Sequence, residues 1–227
     1  MGKLFIVGTP IGNLEDITFR AVRVLKEVDL ILCEDTRVTS RLLQKYEIPK
    51  KPLLTYNEQD SGVAIEKIIE LLAEGKSVAL VTDVGTPGIS DPGSYLVNKI
   101  RAALPDLKIE SVPGPSALTT AFSIAGVPVS DFTFLGFLPH KKGRETLFKE
   151  ISAMERTAVF YESPHRILKT LESLNKFSPN KKVTIARELT KIHEEVISGT
   201  ASEIIEFFSK NEEKVRGEFV VLISNSN

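Results

Sequence analysis

Cysteine occurs once in this chain, at Cys33, which rules out an internal disulfide and fits a reducing, cytoplasmic setting. That lone thiol reads as a small buried apolar group rather than a nucleophile. No stretch reaches the roughly 18 apolar residues of a membrane span, and the opening MGKLFIVGTP is too short an apolar run for a signal peptide. The three histidines, His140, His165 and His193, do not stand at metal-ligand spacing, so no metal is expected. Charge of one sign is also lacking. At a net charge of −1, attraction to a nucleic acid has to come from local patches. There is no internal repeat, low-complexity tract or long linker. What is present, 42% hydrophobic and 26% charged residues over a length of 227, is enough for a core without metals or disulfides, in one large or two small domains.

The chain is organised around Leu80–Gly93, LVTDVGTPGISDPG. Apolar Val78 to Val81 read as a buried strand, and Leu96, Val97, Ile100 and Leu104 as an amphipathic helix. Between them lie glycines, free to take positive φ, and prolines, which fix φ and lack an amide. A strand that breaks into a glycine-rich loop before a helix leaves backbone N–H groups facing a ligand, and the aspartates add acceptors. This loop is expected to lie against a small, adenosine-bearing cofactor.

The same punctuation recurs. Leu4–Val7 ends in Gly8-Thr9-Pro10. A helix follows through Ile17, Ala21, Val24, Leu25 and Val28, with Glu15 and Asp16 in its first turn, where the helix dipole favours anions. Leu30–Cys33 runs into Glu34-Asp35-Thr36-Arg37 and a short helix through Leu42, Leu43 and Tyr46. A third strand is expected over Pro52–Tyr56. Ser61 is placed as the cap of a helix carrying Ile65, Ile68, Ile69 and Leu72, with Gly75 as its C′ residue. Lys108–Val112 breaks at Pro113-Gly114-Pro115-Ser116. Strands alternating with helices imply a mainly parallel sheet, whose ligands bind beyond the strands' carboxyl ends. Stretches rich in chemistry follow Val7, Cys33, Val81 and Val112, all at such ends.

Beyond about Pro115 the texture changes. Helices are expected over Ala117–Ala125, Pro164–Leu174 and Ala201–Phe208. Strands are expected over Phe132–Phe137, Thr157–Tyr161, Lys182–Arg187, Glu194–Ser198 and Glu218–Ile223. The short gap from Arg187 to Glu194 implies a hairpin and hence a mixed sheet. The fold class is therefore α/β: an N-terminal α/β domain over 1–114 with a mainly parallel, Rossmann-like sheet, and a C-terminal α/β domain over 115–227 with a mixed sheet. The cleft between them is the expected pocket.

Single motifs have plain explanations. Gly8-x-x-x-Gly12 is not a dinucleotide fingerprint and lacks the P-loop lysine. Ser116 either caps a helix or touches ligand. Arg37 either pairs with a neighbouring carboxylate or holds a phosphate, and its place at the strand end favours the latter. Ser163 and Pro164 are good helix-start residues, and the Arg–Glu neighbours of Tyr161–Arg166 and Arg187–Lys191 read as solvated pairs. Lys141, Lys142 and Arg144, beside Phe137 and His140, form a concentrated basic loop suited to an RNA backbone.

Seven blocks in order, GTPIGNLEDIT, CEDTR, LVTDVGTPGISDPG, VPGPSA, FLGFLP, FYESPHR and ARELTK, closely resemble the ribosomal RNA small-subunit methyltransferase I group of the tetrapyrrole methylase superfamily. The resemblance runs from about Leu4 to Ile223. It implies two α/β domains, S-adenosylmethionine as cofactor, and a homodimer. It also implies ribose 2′-O-methylation of a cytidine in the decoding region of small-subunit (16S) rRNA. By position, the cofactor would touch Pro10, Asp83, Val84, Gly85, Thr86, Ile89, Ser116 and Ala117, with Leu138, Tyr161 and Leu189 from the second domain. Backbone groups would make most of those contacts.

A ribose hydroxyl is a weak nucleophile, so a base or an oxyanion-stabilising cation is needed. Glu34, Asp35 and Glu188 stay open as base. Arg37 and Arg187 are candidates to orient RNA phosphate or stabilise the developing alkoxide. Two rivals stand beside this reading: C-methylation of a tetrapyrrole such as uroporphyrinogen, and a non-catalytic RNA-binding relative.

Overall fold

The computed structural model describes residues 2–57, 62–127 and 129–225. Ser61, the expected cap, lies outside them. The chain divides into two compact units, Met1–Ser116 and Ala117–Asn227.

The first unit is built on β1 (Lys3–Val7), β2 (Leu30–Cys33), β3 (Leu53–Thr55), β4 (Val78–Leu80) and β5 (Lys108–Val112). Their order is β3-β2-β4-β1-β5 and every pairing is parallel. Such a sheet is covered on both faces, which is why its strands read as unbroken apolar runs. Alternate residues divide cleanly. Ile31, Cys33, Ala79 and Val81 join the core under α1 (Phe19–Glu27) and α2 (Thr36–Lys45). Leu4, Leu32, Val78 and Leu80 join the opposite core under α3 (Gly62–Ala73) and α4 (Ser94–Ala103). Gly75, at φ +95°, ends α3 as expected: its N–H donates to the Leu72 carbonyl and the Lys76 N–H to that of Leu71.

The second unit carries β6 (Phe132–Phe137), β7 (Thr157–Glu162), β8 (Lys182–Arg187), β9 (Glu195–Gly199) and β10 (Phe219–Ser224), ordered β6-β7-β10-β8-β9. β6 and β7 are parallel and the other three pairings antiparallel, so the sheet is mixed and β8–β9 is the expected hairpin. Besides α5 (Ala117–Ala125), the helices are α6 (Arg144–Ala153), α7 (Ile167–Phe177) and α8 (Ala201–Lys210). The last three bury Phe148, Leu171 and Phe208 in one core. A Thr200–Glu203 capping box starts α8.

Two helix starts differ from expectation. Glu15 and Asp16 are not in the first turn of α1. They belong to a separate 3₁₀ turn, Leu14–Asp16, capped by Asn13, while Thr18 caps α1 through the Ala21 N–H. With two capping side chains five residues apart, the chain starts twice. Likewise Ser163 and Pro164 form a turn before α7, which begins at Ile167 with no side-chain cap. The Ser163 carbonyl takes the Arg166 and Ile167 N–H groups instead, so the turn itself leads into the helix.

Candidate functional site

In the first unit, four loops follow the carboxyl ends of β1, β2, β4 and β5, and hydrogen bonds interlace them. The Gly8 N–H donates to the Val112 carbonyl at 3.0 Å, and the Thr9 N–H to the Gly85 carbonyl at 2.8 Å. Buried Thr9 donates its hydroxyl to the Thr82 carbonyl at 3.0 Å. Thr86 donates to the Pro115 carbonyl at 3.2 Å. A β-carbon on Gly114 would stand 2.9 Å from the Gly8 carbonyl oxygen, so these backbones meet only as glycines. Gly85 sits at φ +87°, the left-handed region that an L side chain enters only under strain.

The acidic edge is tied into the same mesh. The Asp83 N–H donates to Glu34 Oε1 at 3.3 Å, and the Asp35 N–H to Asp83 Oδ1 at 3.1 Å. Burial, with the Asp83 charge as a lesser cause, pushes the Glu34 carboxyl above its ordinary value. Asp35 goes the other way. It caps α2 through the Arg37 N–H and takes the Arg37 Nε and Nη2 at 3.0 and 2.6 Å. Those bonds to Arg37 hold its carboxyl down at about 2. Arg37 thus pairs with its neighbouring carboxylate, and its side chain remains 84% exposed. Burial pushes the Cys33 thiol up, as suits an inert core sulfur.

Around this mesh Pro10 is buried, Asp83 and Thr86 are half-buried, and Val84 and Ile89 each stand 40% exposed. Two apolar side chains open to solvent beside a bare backbone are the surface a flat ring would cover. Ser116 and Ala117 are half-buried at the end of the fourth loop.

The second unit's candidates are mostly turned inward. Arg187 is 3% exposed. Its Nη1 donates to the His193 carbonyl at 3.2 Å and to Glu195, its Nη2 to the Arg216 carbonyl at 3.3 Å. It closes the β8–β9 hairpin rather than offering a fork to phosphate. Glu188 and Thr190 take φ of +50° and +64°, either side of buried Leu189. Burial is the largest single influence on the Glu188 carboxyl and raises it, but the 2.9 Å bond to Lys191, the Lys191 and Arg187 charges and a backbone bond at Glu218 together leave it lowered. Tyr161 stands edge-on to Phe134 and Phe137. The Leu138 side chain belongs to the core.

Arg144 does not share the surface of Lys141 and Lys142, which are exposed. At 9% exposure it donates to Thr170 Oγ1 at 2.7 Å and the Pro139 carbonyl at 3.2 Å, and lies over the Phe148 ring. Thr170 in turn donates to Glu162 Oε2 at 2.6 Å, and Arg166 Nε lies 3.2 Å from Glu162 Oε1. The Glu162–Arg166 pair is therefore buried, not solvated as its sequence suggested. Arg166 Nη2 reaches the Leu138 carbonyl at 2.5 Å, so the network pins residues 138–140. The i,i+4 spacing of Glu162 and Arg166 was its only trace in the sequence. Among the described residues, no group of three or more His, Cys, Asp or Glu residues is placed to hold a metal, and no helix is long and apolar enough to cross a membrane.

The family model of tetrapyrrole (corrin/porphyrin) methylases matches residues 3–205. A protein from Thermotoga maritima named ribosomal RNA small subunit methyltransferase I is 52% identical over 224 residues, covering 99% of both chains. One of the same name from Bacillus subtilis is 43% identical, covering all of this chain and 76% of its own. Among solved structures, the methyltransferase CobJ superposes with a TM-score of 0.70 at 20% identity, covering 100% of this chain and 95% of its own. Uroporphyrin-III C-methyltransferase from Thermus thermophilus, complexed with S-adenosyl homocysteine, superposes at 0.65 and 15% identity, covering 98% and 97%. At those identities the structures establish the fold.

Proposed function

Because the chain belongs to the tetrapyrrole (corrin/porphyrin) methylase family, we propose that it is an S-adenosylmethionine-dependent methyltransferase acting on the ribose 2′-hydroxyl of a cytidine in small-subunit (16S) rRNA. The observation that carries this is the 52% identity, across 99% of both chains, to a protein named for small-subunit rRNA methylation. The tetrapyrrole enzymes share the fold at 15–20% identity, which says nothing of substrate. The protein so proposed is cytoplasmic and a homodimer.

The first unit's residues fit the cofactor. Backbone groups of 84–86 and 113–114, over which Gly85 and Gly114 place no side chain, would meet its polar groups, and Val84 and Ile89 would cover its ring. When bound, S-adenosylmethionine supplies an electrophilic methyl group on a sulfonium sulfur and departs as a neutral thioether.

Among the three candidate bases, the surroundings of each support Glu34. Asp35, held at about 2 by Arg37, is a poor proton acceptor, and Glu188 is spent on Lys191. Glu34 is the better base. Its carboxyl is raised, and its Oε2 makes no hydrogen bond among the described residues. It takes the ribose hydroxyl proton as the sugar oxygen bonds to the methyl carbon. Arg37, with Nε and Nη2 on Asp35, keeps Nη1 for an RNA phosphate. Alignment of the two reactants can supply about 7–11 kcal/mol, and a positioned base about 10²–10⁴-fold.

The test offers purified protein and labelled cofactor either small ribosomal subunits lacking the modification or uroporphyrinogen. Label in a cytidine ribose of 16S rRNA is the expected result. Label in the tetrapyrrole, or in neither, overturns the proposal.

A further inference from the structure

The outer face of α1 and α2 has no role in the chemistry above apart from Arg37. Both helices pack on the same core, through Ala21, Val24 and Leu25 and through Leu43. The Tyr46 hydroxyl donates to the Leu14 carbonyl, tying the end of α2 to the segment before α1. What they turn outward is cationic: Arg23 and Lys26 on α1, and Arg37, Arg41 and Lys45 on α2, all exposed, with Glu27 as the one helical carboxylate; Arg20 is exposed too, but its Nη2 donates to the Ser111 carbonyl at 2.7 Å. This stands out in a chain whose net charge is −1. Arg23 pairs with Glu27 and Arg37 with Asp35, whereas Lys26, Arg41 and Lys45 have no carboxylate partner among the described residues. Arg37, Arg41 and Lys45 recur every four residues, about 6 Å apart along one stripe. At that spacing like charges repel one another along the helix, a cost that the Arg37–Asp35 pair and the place of Lys45 in the last turn offset only in part.

A second, independent feature lies on the same face. Phe19, the first residue of α1, is 97% exposed. It has no part in capping, which Thr18 performs. α2 begins just past the carboxyl end of β2, next to Glu34, and α1 follows β1 after the loop and 3₁₀ turn that precede Thr18.

We propose that this face is the docking surface for the RNA strand, with the cations on successive phosphates and Phe19 stacked on an unpaired base. The inference rests on the rRNA reading above and deepens it. Cations alone would suit any polyanion. A wholly exposed ring among them favours nucleic acid, because every base offers a face to stack on.

The experiment uses the full chain and a naked 16S rRNA fragment, with affinity measured over a salt series. The variants are Lys26→Gln/Arg41→Gln/Lys45→Gln and Phe19→Ala. A control triple, Lys67→Gln/Lys99→Gln/Lys169→Gln, removes equal charge from other helices. The first triple is expected to weaken binding and reduce the slope of log affinity against log salt by about 2, at ~0.7 per single-strand phosphate contact. Phe19→Ala is expected to weaken binding about tenfold with the slope unchanged. Affinity for S-adenosylhomocysteine should hold in all, which excludes misfolding. Wild-type binding by both variants, or equal loss in the control triple, overturns the surface. Loss seen only with assembled subunits also overturns it, since the partner would then be a protein. If the wild-type protein itself neither binds nor methylates the RNA, the functional reading fails instead.

Discussion

Replacing Gly85 and Gly75 separately by alanine distinguishes a site glycine from a merely conformational one. The two have nearly the same backbone, φ +87° and +95°. Neither alanine would clash: a β-carbon at Gly85 would lie 3.4 Å from Ile11 Cγ2 and 3.8 Å from the Pro115 carbonyl oxygen, and at Gly75 nothing lies within 4 Å. Each substitution should therefore cost its unit the left-handed penalty, about 1–2 kcal/mol. For a unit of this size that lowers the melting temperature by roughly 4–16 °C. The positions differ in what the strain disturbs. At Gly75 it loosens the end of α3. At Gly85 it is relieved by turning a peptide whose carbonyl receives the Thr9 N–H, which reshapes the 82–89 loop. If binding must restore that shape, the same 1–2 kcal/mol weakens affinity about 5- to 30-fold. Urea denaturation and calorimetric titration with S-adenosylhomocysteine measure the two effects. Gly85→Ala should lose stability and affinity, Gly75→Ala stability alone. Wild-type affinity in Gly85→Ala, or equal affinity loss in both, would refute the reasoning.

Arg37→Ala should bind cofactor normally yet lose most rRNA methylation, as calorimetry and methyl-transfer assays on one preparation would reveal; equal loss of both points to folding damage. Burial lets native Glu34 keep its proton to a higher pH than in the unfolded chain, so its contribution to stability falls as pH rises through that range, while methylation by a Glu34 base rises. Glu34→Gln should abolish that rising limb in a pH–rate profile, and an unchanged limb would remove Glu34 as base. Glu162→Ala should cost about 3–5 kcal/mol in denaturant unfolding, by leaving Arg166 and Thr170 without their buried acceptor; a loss under 1 kcal/mol would mean the network is not structural.

The first unit was largely legible because its signals are local. Strands buried on both faces are apolar throughout, and the Gly75 stop and the loops after Val7, Cys33, Leu80 and Val112 lie next to the elements they end. The second unit's polar residues were misread because what buries them is tertiary, even where one partner is close in sequence. Arg187 looks like a strand-end cation until carbonyls 6 and 29 residues away close on it. Arg144 looks like part of a basic run. Gly143, at φ +81°, turns the chain into α6, and Phe148 and Thr170 draw the guanidinium inward. The carboxylates Glu34 and Asp35 are adjacent and alike on paper. Only burial on one side and a two-pronged arginine on the other separate a raised carboxyl from a lowered, helix-capping one.

A crystal structure with S-adenosylhomocysteine bound tests the central claim most directly. The account predicts density against the 82–89 loop, within hydrogen-bonding reach of its backbone and beside Val84 and Ile89. Well-ordered density elsewhere, with that loop untouched, would contradict it.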